Sequence, residues 1–221
     1  EDIPSEPGST GWYKMEETGE INGYAVYGEG TDRLHVVNNF IGRCRSAGYF
    51  VKPVAFRISG NGRGGTSREA RIVNNMFYDC GEAAIKFPTK DNDSQGNLYV
   101  KMPGGYLRIL YPAPENCLDL QAWQEFYGFD KEGQEGFFAV EVDTEKLTLE
   151  LKKADRLPEM RHHGTGRQNY ITEPEKVLPV KASMETADAF DGDACGERRV
   201  PGPFAVLETG RIYELDPRKR K

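Results

Sequence analysis

The sequence is poor in the residues that most often announce a chemistry. Its 221 residues include three histidines, four cysteines and two tryptophans. No stretch approaches the ~18 consecutive apolar residues of a membrane-crossing helix, so no such span is expected. There is no Cys-x-x-Cys and no Cys/His cluster with zinc spacing, which argues against a structural zinc site. Basic residues are outnumbered, 29 against 35 acids, giving a formal net charge of −6 and a pI of about 5.3. That balance argues against nucleic acid as a partner. The Gly-rich stretch 60–65 is not followed by Gly-Lys-Ser/Thr, so it is no phosphate loop. The chain opens Glu1-Asp2-Ile3-Pro4 without the charged and apolar regions of a signal peptide. The expectation is a removed leader or a place within a longer polypeptide. Disorder is opposed by an aromatic content of 11%.

What the sequence does contain is a repeat. Val36-Val37-Asn38-Asn39-Phe40-Ile41-Gly42-Arg43-Cys44 aligns with Ile72-Val73-Asn74-Asn75-Met76-Phe77-Tyr78-Asp79-Cys80 at an offset of 36. Downstream, Val54-Ala55-Phe56-Arg57-Ile58 aligns with Ala83-Ala84-Ile85-Lys86-Phe87 at an offset of 29. Gly96-Asn97-Leu98-Tyr99-Val100 is a shorter copy, with Asn97 lying 22 residues after Asn75; Tyr24-Ala25-Val26-Tyr27 is a fainter, earlier one. Short alternating segments punctuated by Asn and Gly are strand chemistry. Twenty-two residues per turn with an Asn at each corner suits a parallel β-helix, in which each coil adds short strands to parallel sheets. Asn fits the corner because it tolerates the left-handed region and its amide can bond the same amide one coil away. The 36-residue coil is then a basic coil plus a loop, most simply the Gly-rich segment 59–67.

The doubled Val-x-Asn-Asn-x-Phe-x-x-Cys pattern, followed by Ala-Ala-Ile-Lys-Phe, resembles right-handed parallel β-helix proteins of the pectate-lyase-like kind, over roughly residues 21–110. A second patch is similar to a closing segment of such proteins: Asp193, Gly196 and Arg199 in Asp-x-x-Gly-x-x-Arg, then Gly202-Pro203-Phe204. Pro203 stands there in place of the usual Ala. Residues 112–190 break the rhythm. Leu118–Tyr127 reads as a short helix stopped by Gly128, with Trp123 on its buried face. Phe137–Asp143 and Leu147–Leu151 alternate as a hairpin, 152–190 reads as a surface arm, and 204–215 as final strands. The expected fold is mainly β: a right-handed parallel β-helix with a small helix-plus-hairpin C-terminal elaboration. The expected divisions are an N-terminal arm or cap (1–20), the coils (21–111), and cap, hairpin and closing strands (112–221).

Candidate functional residues follow from this frame. With inward Phe56 and Ile85 as references, Arg57 and Lys86 project outward one above the other, about 5 Å apart, with Tyr27 a coil earlier. Stacked cations need anions nearby, supplied by ligand or by neighbours such as Glu29, Asp79 and Glu82. The resemblance implies an acidic sugar chain, a Lys or Arg abstracting the proton beside its carboxylate, and an Arg holding that carboxylate. Glycoside hydrolysis needs two carboxylates instead, for which Asp79 and Glu82 are candidates. Trp12 and Tyr27 are candidate stacking platforms for sugar rings, and His35, aligned with Arg71, faces outward. Asp91-Asn92-Asp93-Ser94-Gln95-Gly96 begins like a calcium loop, but Met102 stands where an EF-hand needs an acid, so only a looser calcium site is open. His162-His163 lacks a third ligand in register. Cys44 and Cys80 occupy equivalent points of successive coils, either as a disulfide or metal pair or, as expected, as small hydrophobes stacked inside.

The resemblance thus implies a polysaccharide-processing protein, a glycoside hydrolase or polysaccharide lyase. Lys86, Arg57, Asp79 and Glu82 would be its catalytic candidates, and Tyr27, Trp12 and His35 its substrate contacts. The alternative is a non-catalytic carbohydrate-binding or structural module. No cofactor is expected beyond calcium, and the partner is a poly- or oligosaccharide met outside the cytoplasm: secreted, periplasmic or at the cell surface. Because terminal coils expose parallel edges, a second chain completing the stack is a further expected partner.

Overall fold

The computed structural model describes residues 23–52, 66–154, 170–181, 197–216 and 218. The chain runs through β1 (Tyr24–Glu29) and then three successive triplets. These are β2 (His35–Val37), β3 (Phe40–Gly42) and β4 (Ala47–Lys52); β5 (Arg71–Val73), β6 (Met76–Tyr78) and β7 (Ala83–Phe87); and β8 (Asp93–Gln95), β9 (Leu98–Val100) and β10 (Leu107–Ile109). There follow β11 (Asn116–Leu118), helix α1 (Leu120–Tyr127), β12 (Gln134–Gly136), β13 (Ala139–Asp143), β14 (Thr148–Lys152), β15 (Val180–Lys181), β16 (Arg198–Arg199) and β17 (Ile212–Glu214). The architecture is mainly β. Among the described residues, no helix is long and apolar enough to cross a membrane.

Three parallel sheets each take one strand from every triplet. Sheet 1 has the order β1-β4-β7-β10, closed by antiparallel β11; sheet 2 is β2-β5-β8; sheet 3 is β3-β6-β9-β12. The registers His35↔Arg71 and Phe40↔Met76 carry the 36-residue offset, and Arg71↔Asp93 and Met76↔Leu98 carry the 22-residue one. Each layer turns at left-handed residues: Asn38, Asn74 and Gly96 (φ +57°, +55°, +63°), then Arg43, Asp79 and Lys101 (+55°, +50°, +53°). Gly96 has a second reason to be glycine, since a Cβ there would lie 2.7 Å from Asn74 Oδ1. The asparagines divide two tasks between them. Asn38 and Asn74 make the bend, and their neighbours Asn39, Asn75 and Asn97 form a ladder. Asn75 N and Nδ2 donate to Asn97 Oδ1 at 2.9 and 3.1 Å, and Asn39 N donates to Asn75 Oδ1 at 2.9 Å. Asp130 ends the ladder, accepting from Asn97 N at 2.9 Å.

The interior between the sheets is filled by Ile41, Tyr49, Ile72, Phe77, Ile85, Phe87, Tyr99 and Leu107. Helix α1 closes one end: Asp119 caps it by accepting from Ala122 N, Gly128 stops it at φ +70°, and buried Trp123 stacks on Phe87. The helix begins two residues later than the periodicity predicts, because Leu118 belongs to β11. The predicted hairpin is present as antiparallel β13–β14, extended by β17. It covers the outer face of sheet 3, where Met76, Tyr78, Leu98 and Val100 pack against Phe138, Val140, Leu151 and Phe204. Strands buried on both faces read as continuous apolar runs, which is why Met76-Phe77-Tyr78 does not alternate. The predicted arm over 152–190 needs correction where it is described. Ile171 bridges to Gly136, Val177 and Val180 are buried, and β15 pairs with β16, so 170–181 belongs to the packed body. In the closing patch Arg199 and Phe204 are buried, and Gly202 N donates to Asn74 O at 2.6 Å; Asp193 and Gly196 lie outside the described residues.

Candidate functional site

Sheet 3 is covered outside, but sheet 1 presents an outer face. Its strands stack Val26, Tyr49, Ile85 and Leu107 toward the interior, which leaves Tyr27, Phe50, Lys86 and Arg108 pointing outward in one line. This corrects the offset-29 alignment: Lys86 is in register with Phe50, not with Arg57. The interval from Cys44 to Ala47 equals that from Cys80 to Ala83, so the 36-residue offset runs on through β4 and β7. The extra residues of the longer layer fall after Lys52, between β4 and β5. Arg57 and Trp12 lie outside the described residues.

The line divides into an aromatic half and a charged half. Tyr24, Tyr27 and Phe50 form a cluster with ring centroids 5.0 to 5.7 Å apart, and half of the Tyr27 surface is open to solvent. Tyr27 Oη donates to Glu29 Oε1 at 2.6 Å. Lys86 Nζ lies 5.7 Å from the Phe50 ring centre and donates to Glu82 Oε2 at 2.6 Å. Although it faces outward, Lys86 is only 9% exposed. Its hydrogen bond holds the Glu82 carboxyl below the usual carboxylate range, against the opposing effect of partial burial. Arg108 is clamped at three points: Nε to Gly105 O at 3.1 Å, Nη2 to Glu82 O at 3.0 Å, and Nη1 to Glu115 Oε1 at 3.3 Å.

Of the candidates, Lys86 and Glu82 are brought into direct contact, and Tyr27 joins them on the same face two strands away. Asp79 is not on the line. It is exposed at the left-handed corner between β6 and β7, donating its N–H to Val100 O. His35 faces outward as expected, in line with Arg71 and Asp93, but on sheet 2. The Asp91–Asp93 segment spends its polar groups internally: Asn92 accepts from Ala70 N and donates to Thr89 O, and Asp93 accepts from Gln95. Among the described residues no group of three or more His, Cys, Asp or Glu side chains converges as a metal site. Cys44 and Cys80 are buried thiols stacked in the interior.

Phe50 and Arg108 escaped the sequence reading although their signals were present: counting 36 residues back from Lys86 reaches Phe50, and 22 forward reaches Arg108. Two inward carboxylates carried no such signal. Asp130 accepts from Asn97 and, at 2.6 Å, from Tyr99 Oη; Glu135 accepts from Tyr106 Oη at 2.6 Å. Burial raises both carboxyls above their ordinary values, and Asp119 adds to the effect at Glu135. They terminate two columns, Asn39-Asn75-Asn97-Asp130, which starts at exposed Asn39, and Ile41-Phe77-Tyr99-Glu135, at the end closed by α1. Comparison with family models, with curated proteins and with solved structures found no match for this chain.

Proposed function

We propose that this chain is a right-handed parallel β-helix protein that engages a polysaccharide along the outer face of sheet 1, and that it belongs to the polysaccharide-processing class. The observation that carries the reading is the line Tyr27–Phe50–Lys86–Arg108, in which an aromatic platform is followed, on adjacent strands, by two fixed cations. Aromatic faces receive the C–H faces of sugar rings, and cations about 5 Å apart can bind successive anionic or hydroxyl groups. The chemistry would fall to Lys86 and Glu82, which form a cation–carboxylate contact among the described catalytic candidates. A second reading, binding without turnover, is favoured by that same contact: the Glu82 carboxylate occupies the amine that a base would have to present to substrate.

The test uses calorimetric titration against acidic and neutral polysaccharides, with product analysis in parallel. Tyr27→Ala is expected to weaken binding about tenfold, the loss of one good stacking contact. Lyase action gives an unsaturated-uronate absorbance that Lys86→Ala abolishes, and hydrolysis gives reducing ends without that absorbance. Binding with neither product selects the second reading. Binding that Tyr27→Ala leaves unchanged rejects this face as the site.

A further inference from the structure

Cys44 and Cys80 each follow a left-handed corner residue by one position, in adjacent layers. Backbone bonds pin the layers together on both sides of the pair: Arg43 N donates to Tyr78 O at 2.8 Å, and Gly81 N donates to Cys44 O at 2.7 Å. Paired strands lie about 4.8 Å apart, inside the Cα separation of roughly 4.4 to 6.8 Å that a disulfide spans. The two thiols take equivalent positions in their layers: each donates to the carbonyl two residues back, Cys44 Sγ to Gly42 O at 3.8 Å and Cys80 Sγ to Tyr78 O at 3.7 Å, and Cys80 Sγ also reaches across to Ile41 O of the preceding layer at 4.0 Å. Both are sealed in the interior, 2% and 1% exposed, among Ile41, Phe77 and Ala84.

We propose that Cys44 and Cys80 form a redox lock set while the chain folds: a disulfide between layers when a small-molecule disulfide is present, a sealed dithiol when it is not. The exchange balances in two steps. One cysteine thiolate attacks a glutathione disulfide, releasing one glutathione thiol and leaving a mixed disulfide. The second thiolate then displaces the other glutathione, so that two cysteines are oxidised, one glutathione disulfide is reduced, and two protons end on the released thiols. In the folded chain this exchange is blocked twice. Both thiols are buried away from solvent, and the hydrogen bond with Cys44, together with burial, raises the Cys80 thiol well above its usual range, suppressing the attacking thiolate. The bond closes the longer, 36-residue layer onto the next, so it restrains the unfolded chain most where the folded one carries its insertion.

The experiment refolds the full chain from denaturant with reduced and oxidised glutathione, and in parallel with dithiothreitol. Remaining thiols are then alkylated under denaturing conditions for intact-mass and peptide analysis. The oxidised sample is expected to carry two fewer alkyl groups, a Cys44–Cys80 cross-linked peptide, and a melting temperature roughly 10 °C higher. Natively folded reduced protein held with glutathione disulfide is expected to keep both thiols. A Cys117→Ser/Cys195→Ser chain, whose only thiols are this pair, should behave identically, which separates the lock from scrambling. The proposal is overturned by full alkylation of the oxidised refold, by cross-links through Cys117 or Cys195 in place of this pair, or by a melting temperature that does not rise. Oxidation of the native protein as fast as of the refolding chain overturns the seal.

Discussion

At Asp130 a single atom type changes the physics of a whole column. Asn39, Asn75 and Asn97 each donate Nδ2 to the next side-chain oxygen, and the column ends on a carboxylate, which only accepts. Burial pushes that carboxyl up, so the folded chain takes up the proton at a higher pH than the unfolded chain does. The stability this proton brings is complete below the unfolded value, about 3.9, and is lost as pH rises through the folded one. Asp130→Asn keeps an acceptor for Asn97 and removes the buried charge. Relative to that variant, the native chain is therefore expected to gain melting temperature as pH falls from about 8 to about 4. Glu82, whose carboxyl is lowered by Lys86, works in the opposite sense but is common to both chains and cancels in the difference. Thermal melts at several pH values read the difference directly, and a flat one would mean that Asp130 stays ionised throughout. Asp130→Ala strands the Asn97 donors and the Tyr99 hydroxyl, at an expected cost of about 2–3 kcal/mol. The Asn ladder was legible in the sequence because its members share a residue type and a spacing. Asp130 was not, since it lies 33 residues after Asn97, beyond a helix, and is a different residue.

Strands of three residues carry little periodicity of their own, so their register is borrowed from the corners. This explains both what sequence reading recovered and what it missed at this scale. The segments around Asn39 and Asn75 align correctly because the Asn-to-Cys pattern is distinctive, Asn97 joins them through the Asn and the apolar strand after it, and the hairpin and α1 are local patterns with their own caps and turns. The strand before Lys86 was misassigned because Val54–Ile58 and Ala47–Lys52 both alternate, and only the distance from the preceding Cys distinguishes them. The observed register makes opposite statements about two adjacent aromatics. Tyr49 is buried against Phe87, whereas Phe50 faces out beside Tyr24 and Lys86. Tyr49→Ala is expected to cost about 3–5 kcal/mol and Phe50→Ala about 1 kcal/mol. Urea unfolding of the two variants decides the matter, and reversed costs would sink the register. Gly128→Ala, at the left-handed stop of α1, is expected to cost about 1 kcal/mol by the same measurement.

Two cores share one wall. The interior cluster reaches from Ile41 to Trp123, the outer cluster from Met76 to Tyr213, and sheet 3 lies between them with Phe77 and Tyr99 on one side and Met76, Tyr78, Leu98 and Val100 on the other. The repeat alone predicts only the interior core. That the C-terminal strands bury the outside of sheet 3 was not legible, because Phe138, Phe204 and Tyr213 are distant in sequence from the strands they cover and their alternation matches any half-buried strand. The consequence is geometric: among the described residues the outer face of sheet 3 is covered by the C-terminal strands, whereas these strands do not cover the face carrying Tyr27 and Lys86. The consequence for stability is coupling. Phe204 is fully buried against Tyr213, with ring centroids 4.5 Å apart, and belongs to a different cluster from Trp123. Phe204→Ala is expected to cost about 3–5 kcal/mol. If the shared sheet makes the two cores one cooperative unit, the loss must appear equally at the far end. In a Trp12→Phe background, the Trp123 fluorescence midpoint should fall in denaturant by the same amount as the far-ultraviolet circular dichroism midpoint. A fluorescence midpoint that stays in place while the dichroism shifts would mean that the C-terminal strands unfold by themselves, leaving sheet 3 to be covered by some other surface.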